Sequence, residues 1–197
     1  VFGAATAAIS YAASGHVNLR SQIGAAAVAF VAGLAGAFCV TLIPTQALRY
    51  ALPVILIAIA GFFALKPGLS DADRAARISP AAFTAFVVPL IAFYDGLVGP
   101  GTGAFFMLGF VMLAGYGILK ATAHTKLLNF ASNLGGLVAF ALVGKPLWIT
   151  GLAMGAAQIA GAWVGSRLAM RIGARLIKPL LVTTSTLLAL KLIYDLI

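Results

Sequence analysis

The stretch FYDGLVGPGTGAFF, residues 93–106, sets one aspartate, four glycines and a proline inside an apolar run that extends over 82–117. Glycine and proline are the residues least compatible with a helix interior. How this stretch is read decides whether 82–117 crosses a bilayer once or turns back inside it, and the topology of the rest depends on that choice.

A bilayer is the setting that the composition demands. The chain has 197 residues, 62% of them hydrophobic and only 9% charged, with a mean hydropathy of +1.09. Apolar runs of roughly 18 residues or more indicate membrane spans. The runs 23–43, 49–65, 82–117, 127–143, 148–164 and 177–193 meet or approach that length. Alternating apolar and polar residues, which a membrane barrel needs, are absent, so helices are the spanning elements. The expected fold is therefore one all-α polytopic membrane domain, with no soluble domain in its loops. The first run, 1–13, is too short to cross fully. A further N-terminal segment is expected before Val1.

The net charge of +9 could suggest a nucleic-acid partner. The basic residues lie between apolar spans, however, and loop lysines and arginines retained on the cytoplasmic side explain them without one. Let the side holding the loop 66–80 be side X. If 82–117 crosses once, X carries Arg20, Lys66, Arg74, Arg77, Lys145 and Lys191, six basic residues against seven on the other side. If it enters and returns, X carries ten: Arg20, Lys66, Arg74, Arg77, Lys120, Lys126, Arg167, Arg171, Arg175 and Lys178. The other side then keeps three, Arg49, Lys145 and Lys191. Only the second arrangement has the expected asymmetry. It makes 82–117 a re-entrant or two-pass hairpin, the loop 66–80 cytoplasmic and the C-terminus outward.

A faint repeat accompanies this topology. At an offset of 129, Tyr11 meets Phe140, Gly15 meets Gly144, Gly36 meets Gly165 and Arg49 meets Lys178. Paired positions fall on opposite sides, which is the pattern of an inverted-repeat transporter. The expected organisation is a remainder of the first repeat over 1–69, a cytoplasmic linker over 70–80 and a second repeat with a broken helix over 81–197. The N-terminal part of the first repeat, with its own broken helix, would precede Val1. Small residues at intervals of four (Ala32 and Gly36, Gly151 and Gly155, Gly161 and Gly165) predict close helix contacts.

The break itself has a chemical use. With Gly99 as cap and Pro100 at the first helical position, the N–H groups of Gly101, Thr102 and Gly103 are left without intrahelical partners. A helix N-terminus carries about half a positive charge, so free donors there suit an anion. The alternative is a kink satisfied by neighbouring side chains. Asp95 is the only acid between Asp73 and Asp195. It could carry a coupling proton or cap the broken helices through backbone N–H groups. Lys126, Asn129 and Asn133 share one helical face, with Thr122 one turn before Lys126. That face could complete an oxyanion pocket, although an interfacial lysine and helix–helix hydrogen bonds by the asparagines are open alternatives. His124 reads as an interfacial residue. Lone Cys39 offers no disulfide. No catalytic triad, metal site or cofactor motif is visible, so neither an enzyme nor a bound cofactor is expected.

Three motifs in order, FYDGLVGPGTGAFF, KATAHTKLLNFASNLGGL and GKPLWITGLAMGAAQIAGAWVGSRLA, resemble the TauE/SafE sulfite exporter family, and most of all its YfcA-like branch of bacterial membrane transporters. GHVNLR and ALPVILIAIAGFFALKPGL are similar to its first-half pattern. The resemblance implies two inverted halves in a bacterial inner membrane. It also implies alternating-access transport of small sulfur-containing anions or organic acids such as sulfite, thiosulfate or sulfoacetate. It places the substrate site on Gly99, Pro100, Gly101, Thr102 and Gly103, with Lys126, Asn129 and Asn133 nearby. The family's first-half glycine-rich motif is not found between residues 1 and 197. An anion channel is the alternative function. Substrate identity, direction, coupling ion and oligomeric state stay open at this level.

Overall fold

The structure is a computed structural model that describes residues 1–40, 46–65, 69–144 and 146–195, without the side chains of 46–49 and 51. Lys66, Lys145 and the side chain of Arg49, which entered the charge count, lie outside the described residues. Every regular element among the described residues is helical. The helices are α1 (Phe2–Ala13), α2 (Ile23–Cys39), α3 (Gln46–Leu65), α4 (Pro80–Leu97), α5 (Thr102–Met112), α6 (Ile118–Val143), α7 (Trp148–Ile172) and α8 (Ala174–Tyr194). Helices α4, α6 and α8 are long and apolar enough to cross a membrane. Ser79 starts α4 by accepting from the Ala82 N–H at 3.2 Å, with Pro80 in the first turn. A π-helical turn over Phe83–Val87 interrupts α4.

Two boundaries differ from the apolar runs. Helix α6 begins at Ile118, nine residues before 127, because hydropathy alone misses a polar first half containing Lys120, Thr122, Thr125 and Lys126. Helix α7 continues past 164 through Arg167 and Arg171 to Ile172.

Helix α2 is wedged between α4 and α6. The contact is backbone to backbone. A Cβ on Gly96 would collide with the Gly33 carbonyl oxygen, one on Gly36 with the Phe93 carbonyl oxygen, and one on Gly135 with the Phe30 carbonyl oxygen. The small-residue pairs expected on α7 behave differently. Gly155 meets the Phe2 ring, whereas a Cβ on Gly151, Gly161 or Gly165 would meet nothing within 4 Å. Spacing therefore located close packing correctly at Gly36 but not along most of α7, because intervals of four mark a smooth face without saying what covers it.

The loop before α4 holds the molecule together at one end. Arg77 N–H donates to Leu113 O at 2.8 Å, Arg74 N–H to Gly115 O at 2.6 Å, and Ile118 N–H to Ser70 O at 3.0 Å. Asp71 accepts from the N–H groups of Leu119 (2.9 Å) and Ala174 (3.0 Å), which lie in the first turns of α6 and α8. Asp73 accepts from Gly117 N–H at 2.8 Å and pairs with Lys120 at 2.5 Å. The start of α4, the end of α5 and the starts of α6 and α8 thus lie in one layer. A stack of Phe83, Phe110 and Tyr116 packs beneath it, with the His124 ring against the last two. Large apolar side chains cover the outside, among them Phe86, Leu142, Ile149 and Leu187.

Candidate functional site

Residues 98–101 separate α4 from α5. Gly99 and Gly101 flank Pro100 with φ of +86° and +87°, a left-handed backbone that a side chain resists. These two turns reverse the chain. Tyr94 fastens the tip by donating its hydroxyl to the Pro100 carbonyl. The start of α5 is therefore two residues later than expected. Gly101 is its cap and Thr102 its first residue, and Pro100 belongs to the turn rather than to the first helical position.

The donors at the break divide into two groups. Thr102 N–H reaches Gly99 O at 3.3 Å, and its hydroxyl donates to the same oxygen at 2.7 Å. Thr102 is buried and engaged locally. The N–H groups of Gly101 and Gly103 have no acceptor among the described residues. Those two glycines line a cavity of about 720 Å³. Gly99, Pro100 and Thr102 do not line it.

Helix α6 forms the facing wall. Lys126, Asn129 and Asn133 all line the cavity, as do Thr122 and Thr125. Asn129 lies near the middle of this 26-residue helix. Its Nδ2 is 3.8 Å from where a Cβ on Gly103 would stand, so the α6 face and the α5 start oppose each other closely. Lys126 is the one cationic side chain among the lining residues. Thr122 is engaged, donating to Ile118 O at 2.8 Å. Asn133 donates to Asn129 O at 2.6 Å and to Asp95 at 3.1 Å.

Asp95 stands behind this wall rather than in it. Ser132 and Asn133 donate to the same carboxylate oxygen. No backbone N–H donates to Asp95 among the described residues. The carboxylate thus ties the last turn of α4 to the middle of α6. His124 is buried, with Nδ1 2.9 Å from Lys120 O, and it packs against the Phe110 and Tyr116 rings.

Several lining residues were not anticipated from sequence. Tyr11 comes from α1, Gln158 and Ser166 from α7, and Thr184 and Ser185 from α8. Thr125 had a usable signal, since it lies four residues before Asn129 on the same helix. The others carry no local signal, because only the packing of distant helices brings them together. A second cavity, of about 770 Å³, lies between the starts of α2 and α4 and contains none of the expected site residues.

Comparison with known proteins identifies the family. The family model described as "Sulfite exporter TauE/SafE" matches residues 1–192. The chain is 53% identical over 195 residues to "Probable membrane transporter protein ORF9" of Sinorhizobium sp., covering 99% of this chain and 75% of that protein. It is 40% identical over 193 residues to "Probable membrane transporter protein YfcA" of Escherichia coli K12, covering 98% and 72%. A "Probable membrane transporter protein" of Haemophilus influenzae is 36% identical over 193 residues, covering 98% and 76%. No solved structure matches the chain.

Proposed function

The chain belongs to the TauE/SafE sulfite exporter family, a family of membrane transporters, and from that premise we propose that it is a secondary carrier of small sulfur oxyanions or organosulfonates. One observation carries this reading: a single cavity is lined by Gly101 and Gly103, whose N–H groups have no acceptor among the described residues, and by Lys126, Asn129 and Asn133. A helix start and a cation facing one space attract an oxyanion. Sulfite, thiosulfate and sulfoacetate are the candidate substrates. Gly99, Pro100 and Thr102 serve by shaping the turn that presents the two donors. Asp95 lies close enough to act as a coupling group through Asn133.

The helix contacts support two inverted halves. Adding 129 carries α1 (2–13) onto 131–142 of α6, α2 (23–39) onto 152–168 of α7, and α3 (46–65) onto 175–194 of α8. Helix α1 packs on α7 while α6 packs on α2, and α3 packs on α8. A two-fold relation between the halves requires that reciprocal exchange. The hairpin α4–α5 has no counterpart among the described residues of the first half. The division into 1–69, 70–80 and 81–197 follows the same relation.

The layer that joins 70–79 to 113–120 and 174 includes both ends of the hairpin, which supports a re-entrant hairpin and the ten-to-three charge distribution. That side is cytoplasmic in a bacterial inner membrane. The test is uptake of labelled sulfite, thiosulfate and sulfoacetate into proteoliposomes of the full-length protein. Saturable flux that falls at least tenfold in Lys126→Gln supports the carrier. Flux that rises without saturation favours a channel, and no flux above empty vesicles for any of the three rejects the proposal.

A further inference from the structure

Three buried side-chain polar atoms lack a partner among the described residues: His16 Nδ1, Thr125 Oγ1 and Asn129 Oδ1. Thr125 and Asn129 line the same cavity, one helical turn apart; Asn129 Oδ1 only accepts and so repels an anion, whereas the threonine hydroxyl can donate to one. Such unpartnered atoms are rare in folded proteins, and leaving one unpaired is destabilising.

Thr125 is the more telling of the two. A threonine in a helix ordinarily bonds the carbonyl four residues back. Thr6 does so with Phe2 O at 3.0 Å, Thr122 with Ile118 O at 2.8 Å, and Thr184 with Leu180 O at 2.7 Å. Thr125 is only 2% exposed and makes no such bond. Its hydroxyl is left without a partner among the described residues, on a residue that lines the cavity, next in sequence to Lys126 and one turn from Asn129. The Asn129 carboxamide faces the start of α5 across the cavity.

We propose that Thr125 is a binding residue for the transported anion, its hydroxyl and the Asn129 Nδ2 donating to oxygens that the α5 N-terminus and Lys126 leave uncovered. This assignment rests on the carrier reading above and deepens it. The ligand it selects is an oxyanion with three or more acceptor oxygens, since the helix start, the lysine and the α6 pair each engage a different one. A carboxylate alone has two oxygens, so two of these groups must share one of them at poorer geometry.

The experiment compares wild-type, Thr125→Val and Thr125→Ser forms of the full-length protein, with sulfite, sulfoacetate and acetate as probes. Valine keeps the shape and removes the unpaired hydroxyl. A structural hydroxyl and a ligand-binding one therefore give opposite results. Thr125→Val is expected to melt at or above the wild-type temperature without ligand. Its KM for sulfite and sulfoacetate should rise roughly tenfold or more, the effect of one lost hydrogen bond to a charged group. Thr125→Ser should restore the KM, and acetate should compete weakly in all three. An unchanged KM in Thr125→Val, or a lower melting temperature with the sulfite response intact, overturns the assignment while leaving the carrier reading standing. Wild-type vesicles that move neither sulfite nor sulfoacetate overturn both.

Discussion

Asn133 Nδ2 donates to Asp95 Oδ2 at 3.1 Å, which fastens the last turn of α4 to the middle of α6. Ser132 donates to the same oxygen. The only acid within the helical hairpin is thus held by the helix that carries the polar face of the cavity. Replacing Asp95 with Asn keeps the shape but sets an N–H₂ group where the carboxylate can only accept. Asp95→Asn should fold, melt lower by the equivalent of about 1–3 kcal/mol, and lose any dependence of flux on a pH gradient. Thermal melting in detergent and uptake at several pH values measure the two effects. Unaltered melting together with pH-dependent flux would remove Asp95 from both roles.

The approach of Gly96 to Gly33 predicts a sharp contrast between glycines. Gly96→Ala places a methyl group against the Gly33 carbonyl oxygen and Ala37 N. Backbone must move, so a loss of about 3 kcal/mol or failure to assemble is expected. Gly161→Ala places its methyl group in open space, and helix propensity makes it neutral or mildly stabilising. Expression and melting of the two variants give the comparison. Equal behaviour would contradict the wedge of α2 between α4 and α6.

Asp73 gives the end layer an acid sensitivity. Slight burial raises its carboxyl pKa, but the Gly117 N–H and then Lys120 outweigh that and hold it below its ordinary value of 3.8. A lowered folded-state pKa stabilises the fold above the unfolded-state value, and the benefit disappears as pH falls through the folded-state one. The pair is half-exposed, so the effect is small. The melting temperature should drop on acidification below about pH 4, and less steeply in Asp73→Asn. Parallel pH profiles for the two proteins would show that these bonds contribute nothing.

Sidedness can be read directly. In a Cys39→Ser background, a cysteine at Ala72 should react only with membrane-permeant reagents. A periplasmic reporter such as alkaline phosphatase fused after Ile197 should be active. The reverse result in both would place the loop 66–80 outside and invert the orientation, whereas a loop and a C-terminus on the same side would overturn the re-entrant hairpin.

Much of this protein was legible in one dimension. Long apolar runs with few charges establish a helical membrane protein, because hydrocarbon tolerates no unpaired backbone. The Gly-Pro-Gly interruption marks where the chain turns, and the intervals between Lys126, Asn129 and Asn133 put them on one face, because both follow from local backbone geometry. The charge distribution around 82–117 points to a re-entrant hairpin before any contact is known.

What tertiary structure decided is which polar groups remain free. Thr122 and Thr125 are three residues apart on one helix, yet the first bonds a carbonyl of its own turn and the second keeps a buried hydroxyl without a partner among the described residues. Thr102, adjacent to two free donors, closes on Gly99. Gln158, Ser166 and Ser185 reach the cavity from helices whose own sequences give no hint of it. A helix periodicity specifies a direction around an axis. A hydrogen bond also needs a partner at about 3 Å, and that distance exists only once the helices have packed.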